Sequence, residues 1–593
     1  MAQTSFKNRP WIVNAPAREA VAALEATGLS RLEATVLAGR GLTEDTVGEF
    51  LDPKLRSAMP DPTFFLDMDK AADRLAIAIM GGERIAVWSD YDVDGATSAA
   101  VLGRFLEACG APMAELYIPD RIAEGYGPNA AGLEMLKTNG ADLVCILDSG
   151  TTAFEPLAHA ASLGLDVVVV DHHMAQDTLP TAIAVVNPNR KDQAPGYGHV
   201  CAAGMAFFLC VETNRRMRQL GCPGVDLMPL VGYVALGTVC DVVPLLTINR
   251  AFVARGLPIL SERLVPGIAC LAEVAAIEDD IEVGHCGFGI GPRINAGGRI
   301  GDSTMGARLL LTNDPVEAKT LAVELDRLNR ERQDLERQAT TEALAQLEGR
   351  FVPGETRALA LAVVEAHEGV VGISAARVKE AFDAPAFVLA PTEHGVLKGS
   401  GRSVTGFDLG GAVAAANAAG LLVKGGGHAM AAGITIKPEH LDAFVALVNA
   451  RIADSAYGRD GLALHVDAEI RADALSVALV ESLERLGPFG MGNPTPRVLL
   501  RGLHVSDKRV LKEKHLKLRL QDASRTGPRF DAPLWGAVGQ PIDLAFTLAG
   551  SRTIDVVCAL EINEWNGAKS IQLRLEDACL VESLESAQAD AGF

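Results

Sequence analysis

The sequence holds 593 residues, 49% of them apolar, with a formal net charge of −21. That length suits roughly three to five globular domains of ~100–200 residues, and the acidity argues against a protein that coats nucleic acid with its whole surface, while leaving room for a local basic channel. Met1–Pro16 has no apolar core behind a basic flank and no apolar run approaches the ~20 residues of a membrane span; with ten cysteines scattered singly, a soluble, cytoplasmic protein with reduced thiols is expected.

Residues 1–70 read as a helical and loop-rich segment packing on the core, with helix-like stretches at Arg18–Glu25 and Leu29–Ala38. Ala71–Met80 is a predicted helix stopped by Gly81-Gly82. A short apolar strand follows, Ile85-Ala-Val-Trp-Ser89, then Asp90, Asp92 and Asp94 at alternate positions, Gly95, and a predicted helix over Thr97–Ala108. Three anions so close repel one another unless a cation lies between them. Hard divalent cations such as Mg²⁺ or Mn²⁺ take carboxylate oxygens. Alone, the stretch is equally compatible with a solvated acidic loop or a Ca²⁺ loop.

The chain then repeats the device. Leu116–Pro119 is a short strand followed by Asp120-Arg121 and Glu124-Gly-Tyr-Gly127. Leu143–Leu147 ends in Asp148, and Val167–Val170 ends in Asp171-His172-His173. Helical stretches separate these strands, so the connections suit parallel crossovers. Ligands of open parallel sheets bind outside the carboxyl ends of the strands. A further apolar run, Val234–Cys240, leads to Asp241 as a fourth station. Together the four stations predict a two-metal site, in which cations ~3.5–4 Å apart stabilise the attacking and leaving oxygens of a phosphoryl displacement.

Asp314–Glu348 reads as one long helix, with Pro315 in its first turn and Leu321, Leu325, Leu328, Leu335 and Ala339 on one face. It would span about 50 Å at ~1.5 Å per residue and serve as a spacer between two lobes. The second lobe is again α/β, with buried-strand runs at Leu359–Val364 and Ala386–Leu389. Three glycine-rich patches, His367–Ile373, Lys398–Ser403 and Gly425–His428, favour close approach of backbone N–H groups to phosphate. From residue 461 the pattern changes to five short strands: Leu462–Val466, Val498–Val505, His515–Leu520, Ile554–Ile562 and Ile571–Leu575. That pattern suits an OB-fold barrel. Lys508, Arg509, Lys512, Lys514, His515, Lys517 and Arg519 fall on one hairpin and favour contact with a nucleic-acid backbone.

These motifs resemble the DHH phosphoesterase superfamily and, within it, the RecJ family of single-strand-specific 5′→3′ exonucleases. The signatures are Ser89-Asp-Tyr-Asp-Val-Asp-Gly95, Ile118-Pro-Asp-Arg121 with Glu124-Gly-Tyr-Gly127, Asp148-Ser-Gly150, Asp171-His-His173, Val186-Asn-Pro188, Gly237-Thr-Val-Cys-Asp241 and Gly291-Pro-Arg-Ile-Asn-Ala-Gly-Gly-Arg299. They run in order from about Trp11 to about residue 580. The resemblance implies an α/β fold: a parallel-sheet DHH domain (71–306) behind the N-terminal segment (1–70), a long connecting helix (307–350), a second α/β domain of DHHA1 type (351–456), an OB-fold β-barrel (457–580) and a flexible tail (581–593).

It also implies two divalent cations, Mn²⁺ or Mg²⁺, held by Asp90, Asp92, Asp94, Asp148, His172 and Asp241, with His173 orienting a ligand or stabilising charge. Arg121, Tyr126, Arg293, Asn295, Arg299, Ser400, Arg402 and His428 become candidates for phosphate and DNA backbone. The implied substrate is single-stranded DNA with a 5′ end, entering a gap too narrow for duplex. The implied partners are a single-strand-binding protein and a helicase, with no membrane and a monomeric state. One departure is Ala366, where the family commonly has Trp. Two rivals stay open: a phosphoesterase of small substrates (oligoribonucleotides, cyclic dinucleotides or pyrophosphate), and a catalytically inactive single-strand-binding adaptor.

Overall fold

A computed structural model describes residues 10–351, 356–457 except 393, and 463–580 except 514, 523, 526, 536, 539–542, 544–552 and 566. The chain opens with a short strand, β1 (Trp11–Val13), and helices Arg18–Glu25 and Arg31–Gly39. The second helix starts on a reciprocal cap: Ser30 Oγ accepts from Glu33 N (3.3 Å), and Glu33 Oε2 accepts from Ser30 N (2.8 Å).

The first lobe is built on β2 (Ile85–Ser89), β3 (Glu115–Tyr117), β4 (Leu143–Leu147), β5 (Asp166–Val170) and β6 (Ala184–Val186). All pair in parallel, in the order β3-β2-β4-β5-β6. The strands are continuously apolar because both faces are covered. Ile85, Val87, Leu143, Cys145 and Leu147 point into one core, and Ala86, Trp88, Val144 and Ile146 into another. The chain leaves β2 toward β3 on one side and returns to β4 on the other. That reversal opens a crevice at the carboxyl ends of β2 and β4.

A helix over Pro315–Leu347, 33 residues long, links the lobes. Asp314 caps it, accepting from Val316 N at 2.8 Å. Leu321 and Leu325 belong to the first lobe's core, while Ala339, Ala343 and Leu347 belong to the second lobe's. The helix is therefore packed at both ends, more than a free spacer.

The second lobe has β7 (Ala360–Val363), β8 (Ala386–Pro391), β9 (Leu397–Arg402), β10 (Leu422–His428) and β11 (Ala431–Ile436), in the order β10-β11-β9-β8-β7. Two of the three glycine-rich patches are strands rather than loops. Their glycines serve packing: a Cβ at Gly399 would lie 2.1 Å from Val388 O, and one at Gly401 2.5 Å from the Phe387 ring. The first patch opens helix Glu368–Phe382, capped by His367.

Beyond lies β12 (Leu464–Val466), which pairs in parallel with β1 and not with the barrel, against expectation. Leu462 falls outside the described residues. The barrel itself comprises β13 (Ala468–Ile470), β14 (Arg497–Leu511), β15 (His515–Asp522), β16 (Arg529–Leu534), β17 (Thr553–Trp565) and β18 (Ala568–Leu580), in the order β13-β14-β15-β16-β18-β17. The β14–β17 pairing closes it. The N-terminal helices pack on this barrel: Leu24, Val36 and Leu37 share a core with Val498, Leu518 and Val556. Arg250, buried on helix Thr247–Ser261, ties the pieces together. Its guanidinium donates to Phe50 O (2.7 Å), Leu486 O (3.0 Å) and Pro488 O (3.2 Å) and lies 3.7 Å over the Phe50 ring. No described helix is long and apolar enough to cross a membrane.

Candidate metal centre

The helix after β2 begins at Val93, four residues earlier than expected, so the three aspartates do not sit on one extended stretch. Asp90 follows the strand. Asp92 caps the helix, accepting from Gly95 N at 3.1 Å. Asp94 lies in the first turn. Gly95 is dictated by contact rather than by a turn, since a Cβ there would come 2.3 Å from Asp90 O. Asp94 is aimed by a second helix N-terminus: Ala202 N and Ala203 N donate to its two oxygens at 2.6 and 3.0 Å. Gly237 leaves room for it, because a Cβ there would lie 2.9 Å from Asp94 Oδ1.

The other stations converge on this point. Asp148, immediately after β4, has φ +58°, a conformation that non-glycine residues adopt rarely. Asp241 is not at the end of a strand. It terminates a helix, Val231–Cys240, packed on helices Val93–Ala108, Ala202–Gln219 and Thr247–Ser261. His172 lies between the carboxylates, with Nε2 at 3.3 Å from Asp148 Oδ1 and 3.7 Å from Asp94 Oδ2, and Nδ1 at 3.8 Å from Asp241 Oδ2. Three groups of candidate ligands result: Asp148, His172 and His173; Asp94, His172 and Asp241; Asp90, Asp92 and Asp148. Within each, the ligand atoms lie within 4.8 Å of one another.

The electrostatics of this cluster call for cations. Asp90 Oδ1 and Asp148 Oδ1 are buried with no hydrogen-bond partner among the described residues, which is costly for a carboxylate. Burial first, and the neighbouring aspartates second, push the Asp90 and Asp148 carboxyls well up, and Asp241 up to about 8. Asp94 is raised by burial as well. Burial lowers His172, favouring the neutral imidazole that ligates metals. An all-oxygen set plus imidazole suits Mn²⁺ or Mg²⁺, and the residues present fit such a pair.

Asp171 behaves differently. It accepts from Thr151 N (3.0 Å), His172 N (2.7 Å), His173 N (3.1 Å) and His173 Nδ1 (2.8 Å), so its lone pairs are used. Burial opposes its ionisation, but the His173 hydrogen bond and charge outweigh it and hold the carboxyl well below the usual range. Burial likewise opposes the His173 charge, but Asp171 raises that imidazole to about 9. Asp171 orients and charges His173 rather than facing a cation. Sequence reasoning assigned no role to Asn187 or Asn189. Asn187 Nδ2 donates to Thr151 Oγ1 and His173 O (both 2.8 Å), and Asn189 Nδ2 to His172 O (2.6 Å). The Val186-Asn-Pro188 motif was the visible signal for these supports of the Asp-His-His turn.

Of the phosphate candidates, Arg121, Arg299, Ser400 and Arg402 meet where the lobes touch. Arg299 Nη1 donates to Gly369 O of the second lobe (3.1 Å), and Arg402 Nη1 to Ser400 Oγ (2.9 Å). Burial, and then the charges of Arg121 and Arg332, lower Arg299 to about 10. Burial and Arg121 lower Arg402 as well. This is a half-buried cationic cluster suited to an anion. Arg121 also stacks over Tyr91 at 4.9 Å. Asn295 lies one turn before Arg299 on the same helix, Gly291–Ile300. His428 is exposed and two strands from Arg402, through the register His428–Ala431–Arg402.

The remaining candidates are engaged elsewhere. Arg293 is turned away into structural bonds with Asp326 Oδ1 (2.9 Å), Gly289 O (2.7 Å) and Val274 O (3.2 Å), and is not part of the cluster. Tyr126 belongs to the metal centre's edge, with its hydroxyl donating to Asp148 O (3.0 Å) and 3.0 Å from His173 Nδ1. The basic hairpin is largely neutralised: Lys508 pairs with Asp543, Arg509 with Asp507, and both Lys517 and Arg519 with Asp531. Lys514 lies outside the described residues.

Comparison with known proteins identifies the family. Residues 84–238 match the DHH family, N-terminal domain; residues 355–454 match the DHHA1 domain; residues 466–577 match the RecJ OB domain. The single-stranded-DNA-specific exonuclease RecJ of Dickeya dadantii is 34% identical over 526 residues, 86% of this chain and 89% of that protein. The RecJ of Escherichia coli is 33% identical over 528 residues, covering 86% and 90%. A crystal structure of Thermus thermophilus RecJ in complex with Mn²⁺ superposes with a TM-score of 0.78 at 30% identity, covering 97% of this chain and 80% of that one; its Mg²⁺ complex gives 0.72 at 29%. With the Asp-His-His turn, the bridging helix, the second lobe and the barrel all present in that order, the chain belongs to the RecJ family.

Proposed function

We propose that this protein is a metal-dependent exonuclease that degrades single-stranded DNA from its 5′ end to 5′-mononucleotides, in DNA recombination and repair. The observation that carries the reading is the pair of orphaned, buried oxygens on Asp90 and Asp148 within a cluster of five aspartates and two histidines, in a chain of this family. Asp90, Asp92, Asp94, Asp148, His172 and Asp241 would hold two divalent cations. When bound, such a pair activates water and offsets charge on the phosphoryl oxygens. The chain's own residues do the rest. Asp171 keeps the Nδ1 proton on His173, so that imidazole can stabilise negative charge beside the cluster. Arg121, Arg299, Ser400 and Arg402 bind the terminal phosphate and backbone at the lobe junction, with Asn295 and His428 on its margins and Tyr126 contacting the strand beside the metal centre. A 5′ terminus held there presents the first phosphodiester to the carboxylates, which accounts for polarity.

The domain limits given above are part of the proposal, as are a monomeric state and supply of single strands by a helicase and a single-strand-binding protein. The small-substrate reading is not favoured, because it has no use for the barrel and the long helix.

The test uses single-stranded DNA labelled at its 3′ end, incubated with Mn²⁺, with wild type and Asp94→Ala side by side and a blunt duplex as control. Progressive shortening from the 5′ side, on the single strand only and lost in the variant, is expected. An intact strand with wild type would overturn the reading, and hydrolysis of pyrophosphate or cyclic dinucleotides instead would replace it.

A further inference from the structure

Arg121 and Tyr126 sit on one loop, Asp120–Asn129, between β3 and helix Ala130–Thr138. Arg121 reaches the lobe junction and Tyr126 the metal centre, so this loop spans the distance between the end-binding and cleavage regions. Its fixing in place needs an explanation. Gly125 (φ +89°) and Gly127 (φ +82°) flank Tyr126, and a Cβ on either would meet nothing within 4 Å. These glycines are not crowded by neighbouring side chains, so polar contacts carry much of the loop's fixing. Ile122 and Tyr126 are exposed.

One side chain gathers it. Glu124 Oε2 accepts from Tyr117 Oη at 2.6 Å and from Asn129 Nδ2 at 2.8 Å, while Glu124 Oε1 accepts from Asp120 N at 2.8 Å. The carboxylate thus grips both ends of the loop and its base strand. Its anchor is rigid: the Tyr117 ring stacks on Trp88 with centroids 4.1 Å apart, and Trp88 is fully buried in β2. A Cβ on Gly132 would lie 2.5 Å from Trp88 and 2.9 Å from Tyr117, so the following helix clamps that stack. Asp120 Oδ1 adds bonds from Ile122 N and Ala123 N, both 2.8 Å, which shape the turn but tie it to nothing outside itself. Glu124 ties the base of the turn to β3, while the Tyr126 hydroxyl ties its tip to Asp148 O.

We infer that Glu124 is a positioning residue that latches the Arg121–Tyr126 loop to the Trp88–Tyr117 stack, so that engagement of the 5′-phosphate and alignment at the metal centre are set together. Glu124 touches neither substrate nor cation; it acts through Arg121 and Tyr126. The inference rests on the exonuclease reading. A charge-assisted hydrogen bond of this kind contributes enough that its loss shifts an affinity by about tenfold or more.

The experiment compares wild type, Glu124→Ala, Glu124→Gln, Tyr117→Phe and the Tyr117→Phe/Glu124→Ala double variant. Each is measured on single-stranded oligonucleotides with a 5′-phosphate or a 5′-hydroxyl, with KM and kcat separated, and each is checked by thermal melting. Glu124→Ala is expected to raise KM for the phosphorylated strand by about tenfold, to flatten the preference for phosphate over hydroxyl, and to leave the melting temperature nearly unchanged. Glu124→Gln keeps one acceptor oxygen and replaces the other with a donor, and should fall between. Because Tyr117 acts through Glu124, the double variant should be no worse than Glu124→Ala alone. A Glu124→Ala enzyme with wild-type KM and phosphate preference would overturn the latch, as would losses in the double variant that add fully. Failure of the wild type to degrade either strand would instead overturn the exonuclease reading and the latch with it.

Discussion

Replacing Asp148 with Asn isolates the electrostatic logic of the metal centre. Asn has nearly the same shape and tolerates the left-handed backbone, φ +58°, that Asp148 adopts. The ligand oxygens of Asp90, Asp92 and Asp148 lie within 4.8 Å of one another. At an effective dielectric of ~20, two unit charges at that separation repel by roughly 3.5 kcal/mol. Protonation of the raised carboxyls and water entry reduce this, so removing the Asp148 charge should stabilise the cation-free protein by about 1–3 kcal/mol. At roughly 2–4 °C per kcal/mol for a lobe of this size, the melting temperature in EDTA should rise by several degrees. In Mn²⁺ the gap should close. Wild type gains about 2.7 kcal/mol at a hundredfold excess over the dissociation constant, and the variant gains little. Thermal melts of both proteins in EDTA and in Mn²⁺ read all four values. A variant less stable than wild type in EDTA, yet stabilised equally by Mn²⁺, would refute the reasoning.

Three further outcomes are expected. Asp90, Asp94, Asp148 and Asp241 have raised carboxyl pKa values, Asp241 to about 8; the cation-free fold therefore binds more protons than the unfolded chain from about pH 4 to about pH 8, and its stability should fall as pH rises through that window, as urea titrations in EDTA at several pH values would show. Arg293→Ala should lower stability by about 2–4 kcal/mol through its lost pair with Asp326 and leave KM for single strands unchanged, whereas Arg299→Ala should raise KM; melting curves and steady-state kinetics separate the two. Arg250→Ala removes the guanidinium donor from the carbonyls of Phe50, Leu486 and Pro488, the last two keeping Asn493 Nδ2, and should cost about 2–3 kcal/mol, seen as faster proteolytic cleavage between the first lobe and the barrel.

The catalytic sheet was legible because its strands end on charged residues, and a parallel sheet places all such ends at one edge. The aspartates at 90, 92, 94 and 148 could be placed together from that rule alone. Asp241 could not be placed on the right element, since Val234–Cys240 is an apolar run that fits a buried strand and a buried helix equally well. Arg293 and Arg299 share one motif, but only the packing of Asp326 against Arg293 distinguishes a structural guanidinium from one facing the lobe junction. The pairing on the cationic hairpin was only partly visible: Asp507 lies two residues from Arg509 on the same strand, whereas the pairing of Asp531 with Lys517 and Arg519 depends on strand register and that of Lys508 with Asp543 on tertiary contact. The glycine-rich patches at β9 and β10 were not legible as strands, because glycine marks any close approach, whether to a phosphate or to a neighbouring Phe387 ring.

The helix that joins the lobes is buried at both ends in different cores, so its residue count sets a phase as well as a length. Inserting one residue near its middle would turn the second lobe by roughly 100° and shift it ~1.5 Å along the axis. Arg402 would then no longer face Arg299. Insertions and deletions should accordingly be tolerated in the loops of this chain and selected against between Leu328 and Ala339, making that segment a length-fixed ruler in an otherwise variable architecture.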